Sequence, residues 1–439
     1  MYLLKKFPIS KSNYLSLLLS LMPLSFIAGN MIININIILL IVSAILIFGK
    51  KIFEIEFFFL DKIIILFFIL ILLTAFVNDY YFYTIKLAWK GYFSTITKSI
   101  FFFKYLLLYI ILRFLIEKEV IKLKFFFITC SLSSLFVSFD VIYQFLNGKD
   151  IFGFKIIGNK LGGPFGDELI AGGYIQKFSI FSFFVIPLFY SKKFSNYLKY
   201  LIPILLIIFL IGIILSGNRM PLLLFIFSVF LITVFQKQTR KYFISFSVIF
   251  TLTFFLIFNF NSKVNKNFKS FYFQVSEIAI LTINNDLNNT KAPPYLKEFL
   301  TFYDTWLMHK YIGGGIKNFR WYCHHRAPGM STKKGFICNM HPHNYYLEIL
   351  TETGLIGFSL ISLFFLLTLY LTFYKKYISR SSLRSNNIII PFIFLFFIEI
   401  FPLKSTGSFF TTGSTTYLFL ITGILVGLVR KDILIENKS

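Results

Sequence analysis

Charge is what this 439-residue chain has least of. Only 14% of its residues are Asp, Glu, Lys or Arg, against roughly 25% in an ordinary soluble chain. That shortage excludes a typical cytosolic enzyme, whose surface needs more solvated groups. Acids are scarcer still: 19 Asp and Glu stand against 44 Lys and Arg, for a formal net charge of +25. Histidine occurs five times and cysteine three times. No repeat of 20–50 residues is present, and the two halves lack the symmetry many transporters show. No small-x-small cleavage site stands near Gly29, so the first apolar run reads as an uncleaved span rather than a signal peptide.

Apolar residues fill the space, at 57% of the chain with 62 Phe. They form runs near the ~20 residues that cross a bilayer. About twelve spans emerge with a window of ~19 residues. They centre on 14–29, 31–48, 63–78, 96–116, 125–146, 169–190, 198–215, 220–235, 242–260, 354–373, 387–403 and 414–429. Backbone groups in lipid need internal partners, so the expected form is helix. The predicted fold class is an all-α polytopic membrane protein.

Short basic connections orient it. Lys50, Lys51 and Lys62 follow span two, and Lys118, Lys122 and Lys124 follow span four. Lys192, Lys193 and Lys199 follow span six, and Lys237, Arg240 and Lys241 follow span eight. Lys375, Lys376, Arg380 and Arg384 follow span ten, and Arg430 and Lys431 follow the last. Every second connection is therefore cytoplasmic, with both termini inside. Much of the positive charge sets orientation, and no nucleic-acid partner is needed to explain it. One alternate connection is long. Residues 261–353 carry Asn and Lys clusters, Pro293-Pro294 and Gly313-Gly314-Gly315. The chain thus divides into helices one to nine over 1–260, a loop domain over 261–353, and helices ten to twelve with a tail over 354–439.

All five histidines (His309, His324, His325, His341 and His343) lie in that loop, with Cys323 and Cys338. Two readings compete for the cluster. It can supply zinc ligands, although its spacing matches no standard site. In an oxidising compartment a Cys323–Cys338 disulfide is favoured. It would close a loop of about 16 residues and stabilise it by roughly 3 kcal/mol in the chain-entropy account. Asn344 suits a helix cap. His343 beside the helix's positive end is held neutral and can accept a proton near pH 7. Ser216-Gly217-Asn218-Arg219 forms a tight turn on the same face, where a planar guanidinium suits a phosphate; a snorkelling Arg is the plainer alternative. Gly162-Gly163-Pro164-Phe165-Gly166-Asp167-Glu168 is either a solvated turn or a place where two acids meet a sugar hydroxyl or an Arg. Asp140 and Glu399 inside spans are expected to face the interior, either paired with Lys98 or Lys104 or in a substrate role. Trp321, Tyr345 and Tyr346 are interface-belt residues or stack on sugars.

Three segments carry a resemblance. Ser216-Gly217-Asn218-Arg219 is similar to a small-residue–Arg turn. Tyr311-Ile312-Gly313-Gly314-Gly315-Ile316-Lys317-Asn318-Phe319 is similar to a G-x-G-x-x-x-F element. The run from His343 through Asn344, Leu347, Glu352 and Gly354 to Gly357 is similar to an H-N-x-x-L-x-x-x-x-E-x-G-x-x-G signature. Together they resemble the O-antigen ligase/polymerase superfamily of bacterial membrane glycosyltransferases. The likeness covers about 160–429; Asp167-Glu168 departs from the Pro-Asn often found there. It implies cofactor-free, metal-independent, inverting transfer on the periplasmic face of the inner membrane. The implied donor is a polyprenyl-diphosphate-linked glycan, and the acceptor is lipid A-core or another lipid-linked glycan. By that likeness His343 is the base and Arg219 the diphosphate clamp. Arg320 or Arg326 assists, and His341, Asn344, Asp167 and Glu168 are further substrate-binding candidates. A ligase is the leading expectation and a polymerase the alternative. A transporter or flippase would need paired mid-membrane charges, and a zinc hydrolase would use the Cys/His loop.

Overall fold

Apolar runs rich in Leu, Ile and Phe become helices throughout the computed structural model, which describes residues 10–81, 95–190, 198–236, 241–260, 262–284, 292–325, 337–339, 341–379, 382–384, 386–405 and 407–436. The first half contains α1 (Lys11–Ser20), α2 (Met22–Ala28), α3 (Asn30–Phe48), α4 (Phe59–Tyr81), α5 (Thr95–Phe102), α6 (Lys104–Glu117), α7 (Leu123–Asn147), α8 (Ala171–Phe178) and α9 (Ser182–Phe189). The second contains α10 (Leu198–Leu215), α11 (Arg219–Phe235), α12 (Lys241–Phe260), α13 (Ser262–Ile283), α14 (Pro294–Trp306), α15 (Phe319–His325), α16 (Tyr345–Phe373), α17 (Ile390–Glu399) and α18 (Thr412–Glu436). Among the described residues there is no strand, only the isolated bridges Lys149 to Lys155 and Ile157 to Lys160.

Among the described residues, six helical stretches are long and apolar enough to cross a membrane: Asn30–Ile52, Phe59–Tyr80, Thr95–Glu117, Leu123–Asn147, Ala171–Phe189 and Tyr345–Ile378. Part of α12 and part of α13, bent by 104° at their junction, add a seventh if counted as one span. The chain is therefore an all-helical, multi-pass membrane protein. Leu201–Leu215, Arg219–Phe235 and Asn387–Glu399 are apolar helices of shorter length. The expected first span, 14–29, is split at Leu21 into α1 and α2, with Pro23 in the first turn of α2.

Two contacts set the frame. Gly423 and Gly427 of α18 let α6 come close; a Cβ at Gly427 would stand 3.0 Å from the Arg113 carbonyl oxygen. Small residues one turn apart serve membrane helices in this way. On the same helices, Arg113 is fully buried and pairs with Asp61 of α4, while Glu117 lies 3.6 Å away. Arg430 of α18 pairs with Glu56 at 2.8 Å. A buried charge needs such partners, so α4, α6 and α18 are tied together at this end of the bundle.

The opposite end of α4 meets the glycine-rich loop. Thr74 donates to the Ile312 carbonyl at 2.9 Å, and Asn78 donates to the Gly313 carbonyl at 3.2 Å. That loop fills a break in α16, which starts at Tyr345 rather than 354 and is interrupted at Gly354 (φ 66°, ψ −170°). A break orphans carbonyls before it and amides after it. Here Gly314 N donates to Thr351 O at 3.0 Å and Gly315 N to Glu352 O at 2.8 Å. Leu355 N donates to Lys310 O at 2.9 Å and Ile356 N to Tyr311 O at 3.1 Å. The approach is so close that a Cβ on Gly354 would lie 2.2 Å from the Tyr311 carbonyl oxygen.

Gly354→Ala is therefore expected to destabilise the protein by about 3 kcal/mol or more, adding a steric clash to a left-handed backbone. Gly49→Ala has the same sign of φ (53°) but nothing within 4 Å, so it should cost only about 1 kcal/mol. Equal loss of thermal stability in the two variants would contradict the close approach.

Candidate active site at the loop end of the bundle

Residues 341–344 lead into α16 and present the histidines. Asn344 is extended (φ −138°, ψ 125°), and its side-chain oxygen accepts from Tyr346 N and Leu347 N at 3.0 and 3.1 Å. Its amide donates to Pro402 O at 2.8 Å and Lys404 O at 3.4 Å. The side chain is thus a helix cap tied to the segment after α17, and its hydrogen-bonding capacity is engaged within the protein. His343 precedes it with φ 52°, a left-handed backbone uncommon outside glycine. Its half-buried ring stands 4.5 Å from that of His341 and 6.4 Å from that of Tyr295, centroid to centroid.

Electrostatics keep both rings neutral at neutral pH. Burial pushes the His343 pKa below its ordinary value, and the charge of Lys160 adds to this. His341 is pushed down to about 4 by burial, then by His343 and Arg320. Arg320 is exposed on α15. A neutral imidazole can take up a proton, which is what a general base requires.

Lys160 also links His343 to the Arg219 turn. A Cβ at Gly217 (φ 73°) would lie 3.2 Å from Lys160 Cγ, so the lysine stem packs against the turn. Leu161 N donates to Ser216 O at 3.4 Å. Asn218 braces the turn from the other side: its oxygen accepts from Gly172 N at 3.1 Å and its amide donates to Leu169 O at 3.0 Å. Arg219 begins α11, half-buried, with its guanidinium 5.8 Å from the centroid of Phe271 on α13. The neighbouring turn leaves Asp167 and Glu168 exposed to solvent.

Beneath the loop lies a buried charge cluster. Glu399 pairs with Lys404 at 2.7 Å and Lys177 at 3.5 Å, and accepts from the Tyr345 hydroxyl. Lys98 and Lys104, the expected partners, are not those of Glu399. Asp140 is fully buried and accepts from Ile151 N at 2.9 Å. Tyr345 is buried, and the Tyr346 hydroxyl donates to Ile400 O, so both are structural posts. Glu348 accepts from Ser408 Oγ and Phe409 N, both at 2.6 Å.

Cys323 and Cys338 are joined by a disulfide, with Cα atoms 5.8 Å apart. Phe302, Phe319, Cys323, Cys338 and Leu347 form a small apolar cluster around it. Asn339 donates to Glu298 of α14 at 2.8 Å. Among the described residues, no three or more His, Cys, Asp or Glu are grouped to hold a metal. Arg326 lies outside the described residues, as do the side chains of Trp321 and His325. Sequence reasoning overlooked Lys160, Lys177 and Lys404. A lysine inside an apolar run, as at Lys177, was the available signal, because such a charge needs a partner.

Residues 204–362 match the family model described as O-Antigen ligase. That stretch is similar to the O-antigen ligase family and supports a place in its superfamily. No curated protein shows significant similarity to it. The matched stretch contains the Arg219 turn, the glycine-rich loop and His343 through Gly357.

The depressed histidines make stability depend on pH. Unfolded His341 takes up a proton below about 6.5, whereas the folded residue resists until about 4. Stability is therefore complete above pH 6.5 and falls as pH drops from 6.5 toward 4. Thermal melts across that range should show the loss, and His341→Asn should make it shallower. An unchanged pH slope in that variant would contradict the assignment.

Proposed function

We propose that the chain is an O-antigen ligase-like glycosyltransferase. It moves a glycan from polyprenyl diphosphate to a hydroxyl of lipid A-core on the periplasmic face of a bacterial inner membrane. In this reading the shorter apolar helices also span, giving about twelve crossings with both termini cytoplasmic. The supporting observation is a half-buried, neutral His343 linked through Lys160 to the turn that carries Arg219, all but Lys160 inside the stretch that matches the ligase family.

The acceptor hydroxyl gives its proton to the His343 ring as its oxygen attacks the anomeric carbon. The bond from that carbon to the diphosphate oxygen breaks, and polyprenyl diphosphate leaves with the electron pair. Arg219 binds the diphosphate and offsets the developing charge, with Lys160 as a neighbouring cation and Arg320 on the His341 side. Attack from the face opposite the diphosphate inverts the anomeric centre. Diphosphate is a good leaving group, so positioning and electrostatics carry the catalysis without a metal or other cofactor. Asp167 and Glu168, being exposed, are available to sugar hydroxyls of a long glycan.

The test is transfer by purified protein from a polyprenyl-diphosphate glycan to lipid A-core. His343→Ala should lower the rate by about 10²–10⁴-fold while the protein still folds. Arg219→Lys should lose about tenfold or more, because a point charge cannot grip a diphosphate bidentately. Full activity in either variant would remove that residue from the scheme. Product extended on the lipid carrier instead of joined to lipid A-core would identify a polymerase of the same superfamily.

A further inference from the structure

Helix α13 docks on the rest of the chain by one side only. Val264 and Asn267 are buried, and Asn267 Nδ2 donates to Asn159 O at 3.3 Å. Phe268 meets Phe254 of α12 edge-on, with ring centroids 5.2 Å apart, and Phe271 stands beside the Arg219 guanidinium. Farther along, Leu281 and Ile278 pack with Leu296 and Leu300 of α14. These positions recur at helical spacing, so they share one side of α13. The other side carries Tyr272, Phe273, Ile280 and Ile283, which are 70, 65, 56 and 80% exposed. Four large apolar groups on one exposed stripe mark a surface that meets something apolar.

The preceding helix shows what that is. Val248, Leu252, Phe255 and Leu256 of α12 are each more than half exposed, at the spacing of one helix face. On an apolar membrane helix such a face meets lipid chains. Phe260, 86% exposed, carries the same surface on to the bend. There the axis turns by 104°, and Asn265 Nδ2 donates back to the Phe258 carbonyl at 3.3 Å. A helix turned that far from a crossing runs close to the bilayer plane. Its own sequence opposes a crossing: Lys263, Asn265, Lys266, Asn267 and Lys269 crowd its N-terminal half, and charge at the bilayer centre is costly. Lys266 and Lys269 are exposed and precede Phe273 by seven and four residues, which puts them on its side of the helix. Long basic side chains beside an apolar, aromatic stripe reach the phosphates of lipid headgroups, the pattern of a helix lying in a membrane surface.

We propose that α13 lies along the membrane surface at the loop end, with Tyr272, Phe273, Ile280 and Ile283 seated in the bilayer and Lys266 and Lys269 on anionic phospholipid headgroups. Phe271, on the docked side, ties the depth of this helix to that of Arg219. The inference needs only a chain that spans the membrane and is independent of the transfer scheme. Cys130 is buried and Cys323 and Cys338 are bonded, so an introduced surface cysteine is the thiol that a spin label finds. Phe273→Cys, Ile280→Cys and Ile283→Cys are labelled on the purified full chain in phospholipid nanodiscs, with exposed Glu277→Cys as the control for the polar edge. Oxygen should relax the first three labels several-fold more than a water-soluble nickel chelate does, and the Glu277→Cys label should show the reverse. Greater access of the chelate at the three apolar positions overturns the proposal. Greater access of oxygen at Glu277→Cys as well overturns the surface seat in favour of a helix within the bilayer. Adding phosphatidylglycerol to phosphatidylcholine discs should move the labels deeper, and Lys266→Gln with Lys269→Gln should abolish that response. An unchanged response overturns the headgroup contact. Because the readout is depth, failure here is distinguishable from failure of the transfer scheme.

Discussion

The break in α16 at Gly354, filled by backbone from residues 310–315, is the contact on which the loop end depends. A helix interrupted inside an apolar bundle exposes orphan carbonyls and amides, each costing about 1–3 kcal/mol if buried without a partner. The loop satisfies four of them with backbone groups of its own, two on each side of the break. Only glycine allows this, because both chains approach closer than a Cβ permits at Gly313 and Gly354. The consequence reaches the site at once. The first turns of α16 leave the line of the rest of the helix, and Asn344 and His343 sit at their start. One interlock thus positions the histidine segment.

Electrostatics then divide the loop end into layers. Deep in it, the single carboxylate of Glu399 pairs with two lysines, Lys404 and Lys177, beneath the α16 N-terminus. Nearer the surface, burial pushes the pKa values of two half-buried histidines down, and the charges of Lys160 and Arg320 add to this. Positive groups beside a neutral base form an arrangement able to hold an anionic leaving group while accepting a proton. The disulfide and the apolar cluster around Phe302 anchor the segment that delivers His341 and His343.

Much of this was readable in the chain. Lipid leaves a backbone little choice but helix, so hydropathy located the helices even where their lengths fell short of a full span. Asn344 before an apolar run announced a cap, and Arg219 and His343 stood within recognisable motifs. What escaped the sequence were pairings made over long separations. Glu348, Thr351 and Glu352 fell outside the apolar run of span ten, although Asn344 pointed to a helix that begins before it; residues 408–409 hold the Glu348 carboxylate, and Gly314 and Gly315 hold the Thr351 and Glu352 carbonyls. Lys98 and Lys104 were plausible partners for Glu399 by composition, but Lys404 and Lys177 are its neighbours in space. Lys160 has no motif at all and matters through where its loop folds.

Hydrogen exchange at the interlock tests the account most directly. If the glycine-rich loop and the broken helix form one unit, the amides of Gly314, Gly315, Leu355 and Ile356 are protected together, as strongly as the α16 interior. Exchange of Gly314 and Gly315 at the rate of an open loop, while α16 stays protected, would contradict it.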